Sequence, residues 1–309
     1  MISRRHLISL LAAGAVRAAE QSNETSTEFR ITLLGTGTPR PDLVRFGPSI
    51  LIEAGAHSLL LDCGRGAMQR LFTRGVMHKP EGVLFTHLHS DHVTGFPDLW
   101  LTGWLQGRTE PLRVWGPRGT VSMIRNLERA YAFDVRIRQK DERLPASGAR
   151  IEAHDIAEGE IAGFKGMKIT AFAVDHGLVK PAFGYRVDFA GHSAVFSGDT
   201  KPSENLVKHA QGVDLLVHEV LSPELLRRTA AIPASAIPAV IAHHTTPEDA
   251  GRLFARVRPR LAVFSHIVPS SVTESDVLPE VKKFYDGRTV LGADGMTIRI
   301  GAEVEVTYP

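Results

Sequence analysis

From Phe29 onward, short apolar runs alternate with longer stretches in which apolar side chains recur three and four positions apart. The first kind, rich in Val, Ile, Leu and Phe, reads as strands and the second as amphipathic helices. FRITLLGTGTP predicts a strand running into a Gly-rich turn. SILIEAG and HSLLLDCG predict a hairpin about Gly55-Ala56. GAMQRLFTRG predicts a helix stopped by Gly75, GVLFTH a strand, FPDLWLTGWLQG a helix, LRVWGP a strand and GTVSMIRNLERAYAF a further helix. In the second half MKITAFAVDH, FGYRVDF, HSAVFSGDT, VDLLVHE and RLAVFSH read as strands. TPEDAGRLFARVRP reads as a helix capped by Thr246, with Pro247 in its first turn and acids at Glu248 and Asp249. TVLGADGMTIRI reads as a closing hairpin. Residues 222–241, rich in Ala, Pro and Ile, follow neither period and stay unassigned. Mixed strands with helices between them give an α/β fold of sheets covered by outer helices, in one domain from about residue 28 to 309.

The first nineteen residues break this pattern. Arg4 and Arg5 precede an apolar run from Leu7 to Val16, and Ala18 and Ala19 follow. That is the layout of an export signal, and SRRHL resembles the twin-arginine type. The run is too short to span a bilayer, and no later segment is apolar enough to do so. Cleavage there would remove three arginines and take the formal charge from +2 to −1. A chain near neutrality has no overall pull on nucleic acid. The single cysteine, Cys63, excludes an internal disulfide and a cysteine-based zinc site, and reads as a small packing residue.

Chemistry gathers where the apolar strands stop. LLLD ends in Asp62, VLFTHLHSDH in His87, His89, Asp91 and His92, and AFAVDH in Asp175 and His176. VFSGD ends in Asp199, LLVHE in His218 and Glu219, and LAVFSH in His266. Strand ends and their loops are where layered folds carry sites. In an extended segment His87 and His89 point the same way, so they can hold one metal together. The chain then turns, and Asp91 and His92 face a second position. Imidazole and carboxylate without thiolate suit Zn²⁺, and less well Mn²⁺ or Fe.

THLHSDH, DHG, FSGDT and FSHI together resemble the metallo-β-lactamase superfamily. The likeness covers nearly the whole chain from LLGTGTP, and within the superfamily is greatest to the branch of ribonuclease Z, arylsulfatase-like and phosphodiesterase-like members. It implies an αββα four-layer sandwich with two metals at one edge. His87, His89 and His176 would hold the first, Asp91, His92 and His266 the second, and Asp199 would bridge them. A dinuclear zinc hydrolase of this kind attacks with a bridging hydroxide, which Asp91 would also steer. The resemblance places His244, of AHHTTPEDAG, as general acid at the leaving oxygen, against the plainer reading of a loop histidine beside a helix. His243 is expected to point elsewhere. Asp62 and Glu219 would orient metal-bound histidines or else serve local turns. Asp175 should face away. His57, His78, His154, His192 and His209 read as solvated side chains. The glycines of LGTGTP lack the spacing of a phosphate loop, and the resemblance makes them a tight turn near the site.

The substrate is less legible. In ribonuclease Z a long arm that grips tRNA is inserted between the third histidine and the bridging aspartate. Here only eight residues, 188–195, separate GYRV from FSGDT, enough for a hairpin, and no basic, aromatic-interleaved stretch is seen to replace the arm. The export signal also argues against a cytoplasmic tRNA substrate. The expectation is an exported hydrolase of a small phosphodiester or aryl sulfate, compatible with a homodimer, without nucleic acid as partner. A lactonase or β-lactamase, a ribonuclease Z-like 3′ tRNA endonuclease and a non-enzymatic metal-binding protein are the alternatives. TPRPDLVRFGPS would line the pocket, with Arg45 either an anchor for an anion or a surface arginine. Trp100 and Trp104 would wall the substrate or lie in the core.

Overall fold

The apolar runs become the strands of two stacked sheets. In the computed structural model, which describes residues 27–77, 79–229 and 232–309, they are β1 (Phe29–Gly35), β2 (Ser49–Ala54), β3 (His57–Leu61), β4 (Gly82–Leu84), β5 (Leu112–Gly116), β6 (Ile151–Asp155), β7 (Gly159–Ile161) and β8 (Met167–Ala173). There follow β9 (Phe183–Phe189), β10 (His192–Phe196), β11 (Leu215–Leu221), β12 (Leu261–Val268), β13 (Thr289–Leu291), β14 (Thr297–Ile300) and β15 (Val304–Thr307). The export-type leader and His78 lie outside the described residues. Among those residues, no helix is long and apolar enough to cross a membrane.

One sheet has the order β15-β14-β1-β2-β3-β4-β5-β6 and the other β13-β12-β11-β10-β9-β8-β7. Alternate residues of facing strands, such as Ile31, Leu33, Ile52, Leu61, Val217 and Val263, form the core between the sheets. The other set faces outward under helices. Val195, Leu216, Ala262 and Phe264 pack beneath the helices Glu204–His209, Pro247–Val257 and Glu274–Lys282. Leu34, Leu60, Val83 and Val114 pack beneath Ala67–Thr73 and Phe96–Leu105. Both faces of each sheet are therefore covered, which explains why many strands read as unbroken apolar runs rather than as alternation. The architecture is the expected αββα sandwich.

Parallel pairing of β3-β4-β5-β6 and of β10-β11-β12-β13 puts the ends of several strands at one edge. β9 and β10 form the expected short hairpin, with Ala190 and Gly191 in its turn. Thr246 caps its helix as expected, accepting from the Asp249 N–H.

Three sequence expectations change. TVLGADGMTIRI is not a hairpin: β13 lies parallel to β12 in one sheet, whereas β14 pairs antiparallel with β1 in the other. The crossing is pinned by Asp294, whose carboxylate accepts from Thr36 N and Oγ1, Phe46 N and Arg70. The helix begun at Thr120 stops at Ala130, and a second helix runs Ala132–Asp141. The unassigned 222–241 stretch contains the helix Pro223–Thr229, and Ile237–Ala242 begins in it. Both cover Leu221 and Val268.

Candidate metal centre

β4 ends at Leu84 and the chain stays non-helical through His89, so His87 and His89 share a side. His87 Nε2 lies 3.0 Å from His89 Nδ1. The short helix Ser90–Val93 then swings Asp91 and His92 to a neighbouring point. His176, at the turn after β8, brings its Nε2 to 3.4 Å from His89 Nδ1. Asp199 follows β10 through Gly198, whose φ of +58° and close approach to Phe183 O and Thr86 exclude a Cβ without strain.

His266 is placed by a bulge. Glu219 pairs with Ser265 and Val220 with Ile267, so His266 is the extra residue of β12, with φ +45°. The bulge turns its ring into the edge instead of the sheet face. His266 Nε2 then lies 3.3 Å from Asp91 Oδ2 and 3.3 Å from Asp199 Oδ2. Asp91 Oδ2 is 3.7 Å from His92 Nε2. Asp199 Oδ2 stands between the two groups, 3.9 and 3.8 Å from the Nε2 atoms of His87 and His176 and 3.4 Å from that of His92. All seven expected ligands converge on two adjacent points with Asp199 between them.

The residues fit a pair of cations. His92 Nε2 and Asp199 Oδ1 are buried without a hydrogen-bond partner, and ring nitrogens of His87, His89 and His176 turn toward one another. Burial opposes charge on His92, yet Asp199 and Asp62 outweigh it and raise its pKa well above the ordinary value. A divalent cation at Nε2 answers the same carboxylates. Burial also opposes charge on Asp199, but His266, His92 and His87 hold its carboxyl well below the usual range. Burial pushes His87 well below its ordinary value and His176 down to about 4, which keeps both rings neutral and able to ligate.

Asp62 orients two ligands. Its Oδ2 accepts from His92 Nδ1 at 2.7 Å and from Thr86 Oγ1 at 2.8 Å, and Oδ1 accepts from Thr86 N at 2.8 Å. Thr86 Oγ1 in turn lies 3.0 Å from His87 Nδ1. His176 Nδ1 faces the carbonyl of His243 at 3.0 Å. Thr86 and the His243 carbonyl went unnoticed in the sequence. Thr86 sits beside a ligand, where side-chain alternation would have turned it away, and backbone carbonyls leave no sequence signal.

Glu219 holds a different partner. Its Oε1 lies 2.8 Å from His244 Nδ1 and accepts from Thr200 N at 3.0 Å. His244 stacks on the ring of His266 at 5.6 Å and lies 5.1 Å from that of His176. The expectation that His243 points elsewhere is corrected: its ring is 4.8 Å from those of both His176 and His244, at the rim of the centre. Asp175 faces Lys201, away from the ligands.

Arg45 is not an open anchor. Its guanidinium donates to Gly292 O, Ser270 O and Thr36 Oγ1, which ties the 38–47 loop to the sheet edge. Part of that loop, Thr38 to Asp42, lines a recess of about 390 Å³ with Leu226, Val240 and Val268, the last two positions beyond His266. Trp100 and Trp104 belong to the core, their indoles donating to Ala149 O and Pro145 O. Of the histidines read as solvated, His57, His192 and His209 are instead partly buried and engaged, whereas His154 is exposed as expected. His57 meets Glu81 and Lys165 O, His154 stacks on Trp115, His209 on Phe172, and His192 faces Asp214.

Comparison with known proteins agrees with this geometry. Residues 57–267 match the Beta-lactamase superfamily domain. Ribonuclease Z of Mycobacterium marinum is 34% identical over 280 residues, covering 89% of this chain and 99% of that enzyme. Ribonuclease Z of Mycolicibacterium gilvum is 34% identical over 246 residues, 78% of this chain and 85% of its own. Among solved structures, the metallo-beta-lactamase fold protein YhfI of Bacillus subtilis superposes with a TM-score of 0.67 at 18% identity, over 88% of this chain and 99% of its own. The short form of human tRNase Z gives 0.64 at 21%, over 87% and 98%. The chain belongs to the metallo-β-lactamase superfamily, in its ribonuclease Z-like branch.

Proposed function

We propose that the protein is a dinuclear zinc phosphodiesterase that cuts RNA, with the 3′ ends of precursor tRNA as the substrate favoured by its relatives. The observation that carries the chemistry is the convergence of seven ligands on two points, with the His244–Glu219 pair beside them. His87, His89 and His176 would hold one zinc, Asp91, His92 and His266 the other, and Asp199 both. Bound there, the metals supply water activation near neutral pH and neutralise charge on the phosphate.

The chain's own residues account for the rest. Asp62 fixes the Nδ1–H tautomer of His92, and through Thr86 that of His87, so each ring offers Nε2 to the centre. The His243 carbonyl does the same for His176. Burial, then Asp199, raises the Glu219 carboxyl well above its ordinary value, while burial lowers His244 to about 4. Across the 2.8 Å contact between His244 Nδ1 and Glu219 Oε1 the pair can share one proton. As Nε2–H of His244 passes to the leaving oxygen, Nδ1 takes the proton of Glu219.

RNA is preferred over a small ester on the relatives' account. The short 177–198 segment does not separate this chain from enzymes named ribonuclease Z, because a match over 280 residues spans 89% of this chain and leaves that relative no room for a long arm either. A second reading, hydrolysis of small phosphodiesters or aryl sulfates outside the cytoplasm, is favoured by the export-type leader of residues 1–19.

The test is a substrate panel on zinc-loaded protein: precursor tRNA with a 3′ trailer, bis(p-nitrophenyl) phosphate, p-nitrophenyl sulfate, a lactone and a β-lactam. Cleavage of the tRNA at its 3′ end is expected, with slower turnover of the phosphodiester. Turnover of the sulfate, lactone or β-lactam alone would overturn the reading. His244→Ala should keep both metals and slow turnover by roughly 10²–10⁴ with poor leaving groups. An unchanged rate removes His244 from the reaction.

A further inference from the structure

An RNA-cutting site must hold the polyanion as well as cut it. The segment 118–143 carries six Arg and one Lys against two Asp and two Glu, a net of +3 in a chain of net +2. It folds as two consecutive helices, Thr120–Ala130 and Ala132–Asp141. The first starts on the outer side of the ligand-bearing loop: a Cβ on Gly119 would lie 3.2 Å from the side chain of Leu88, the residue between His87 and His89, which packs under the outer helices. It then runs for about 16 Å, seated by Ile124 and by the contact of Tyr131 with Trp100.

The second helix fully buries none of its residues, although Val135 packs partly buried against the core. Phe133, Arg136, Ile137 and Lys140 are all exposed and share one face at helical spacing, Phe133 at 72% and Ile137 at 48%. Arg125 and Arg129 form the matching exposed strip of the first helix. Asp134 and Glu142 are taken up by Arg138. Among the described residues, no salt bridge involves Arg125, Arg129, Arg136 or Lys140, although Glu128 lies close enough to Arg125 to feel its charge. The sequence expectation that no basic, aromatic-interleaved stretch is present is thus corrected: this is one, with Tyr131 and Phe133 set among its arginines.

We propose that this helix pair is an RNA-binding surface that holds the substrate's backbone beside the metal centre, in place of an inserted arm. The inference rests on the reading of the substrate as RNA. Charge favours that occupant: unpaired cations with an aromatic between them match phosphates and exposed bases. A second copy docked about a twofold axis would set the cationic strips against each other.

The test uses the full chain and the triple variant Arg129→Gln, Arg136→Gln, Lys140→Gln. Binding of precursor tRNA is followed by fluorescence anisotropy in EDTA over a range of salt, and cleavage is followed separately with zinc. Binding should weaken about tenfold or more near physiological salt, and the log–log salt slope should fall by roughly two to three for three lost phosphate contacts. For cleavage, KM should rise with kcat little changed, and bis(p-nitrophenyl) phosphate turnover should not move. Unchanged tRNA affinity and slope in the variant would overturn the proposal while leaving the RNA-cutting reading intact. Salt-dependent binding through these residues without cleavage would support the surface and overturn that reading. Absence of tRNA binding by the parent protein would overturn both. A shift in oligomeric mass with RNA affinity retained, or binding to anionic phosphatidylserine vesicles in preference to tRNA, would also overturn the proposal.

Discussion

Asp62→Asn tests how the ligands are aimed. Asn is the right replacement because Asp62 has φ +56°, a region Asn enters with little strain and Ala does not. The carboxylate accepts three bonds, from His92 Nδ1, Thr86 Oγ1 and Thr86 N, at 2.7, 2.8 and 2.8 Å. An amide of the same shape cannot accept all three. If its oxygen faces His92, its NH₂ meets the Thr86 N–H. If it flips, the NH₂ meets His92 and the Thr86 hydroxyl. A charge-assisted bond contributes about 1.5–3 kcal/mol and a neutral one about 0.5–1.5 kcal/mol, so the loss is about 1–3 kcal/mol. That corresponds to roughly 10–100-fold weaker metal binding, the usual size of such effects. It should fall mainly on the site of His92, bonded directly, and less on that of His87, reached through Thr86. Competition with a chromogenic zinc chelator resolves the two affinities, and excess zinc should restore much of the activity. Two affinities within twofold of the parent's, or a loss confined to the His87 site, would refute the assignment of Asp62.

Three further outcomes follow from buried groups. Burial pushes the Cys63 thiol far above its ordinary value, so the native protein should not react with a thiol reagent until unfolded, whereas fast labelling would contradict the packing. His218 is buried and lowered by burial to about 4. The unfolded chain therefore takes up a proton near pH 6.5 that the folded one refuses, and stability is lost as pH falls from about 6.5 to about 4, by about 3 kcal/mol at full extent. Chemical denaturation of the metal-free protein should show this slope on top of the like contributions of His176 and His244, and His218→Leu should lessen it by one proton's share; an equal slope would show that the ring titrates freely. Arg108 donates to the carbonyls of Leu99, Trp100 and Gly148 from a buried position. Arg108→Ala should cost about 3 kcal/mol by removing a charged donor shared by three carbonyls, and a loss under 1 kcal/mol on denaturation would show that water replaces the guanidinium there.

The clustering of the candidate ligands was legible because their chemistry is coupled to chain geometry. His87 and His89 sit two apart on extended backbone, and Asp91 and His92 come after a turn, so spacing alone sends them to two points. Asp199 and His176 follow apolar strands, and sheet pairing carries strand ends to one edge. His266 was legible as a strand-end residue but not as a bulge. Nothing in LAVFSHIV announces that one residue drops out of register against β11. The partner of Glu219 was hidden for a similar reason: whether a strand-end carboxylate meets a metal ligand or His244 depends on the offset between β11 and a segment 25 positions later. The closing strands were misread because a Gly-Ala-Asp-Gly turn fits a hairpin equally well, and only the anchoring of Asp294 by the first strand's turn sends β14 to the other sheet.

The surface at 118–143 was missed on different grounds. In sequence its arginines look like the solvated side of an amphipathic helix, and every such helix has one. What distinguishes this face is how thin the inward side of Ala132–Asp141 is, with Val135 packed only partly buried on the core, and burial is a property of the fold rather than of a segment's own period. A helix of ten residues is marginal on its own in water, and this one is held by continuity with a seated neighbour, by Val135 packed partly buried on the core and by the Asp134–Arg138–Glu142 pairs. Such a helix contributes little to the core, so its outward charges and aromatics are unconstrained by packing. Ligand spacing, by contrast, is constrained at every position by the metals it serves. A metal-dependent hydrolase was therefore legible in the chain, whereas the proposed means of holding RNA depends on a face that only the folded protein exposes.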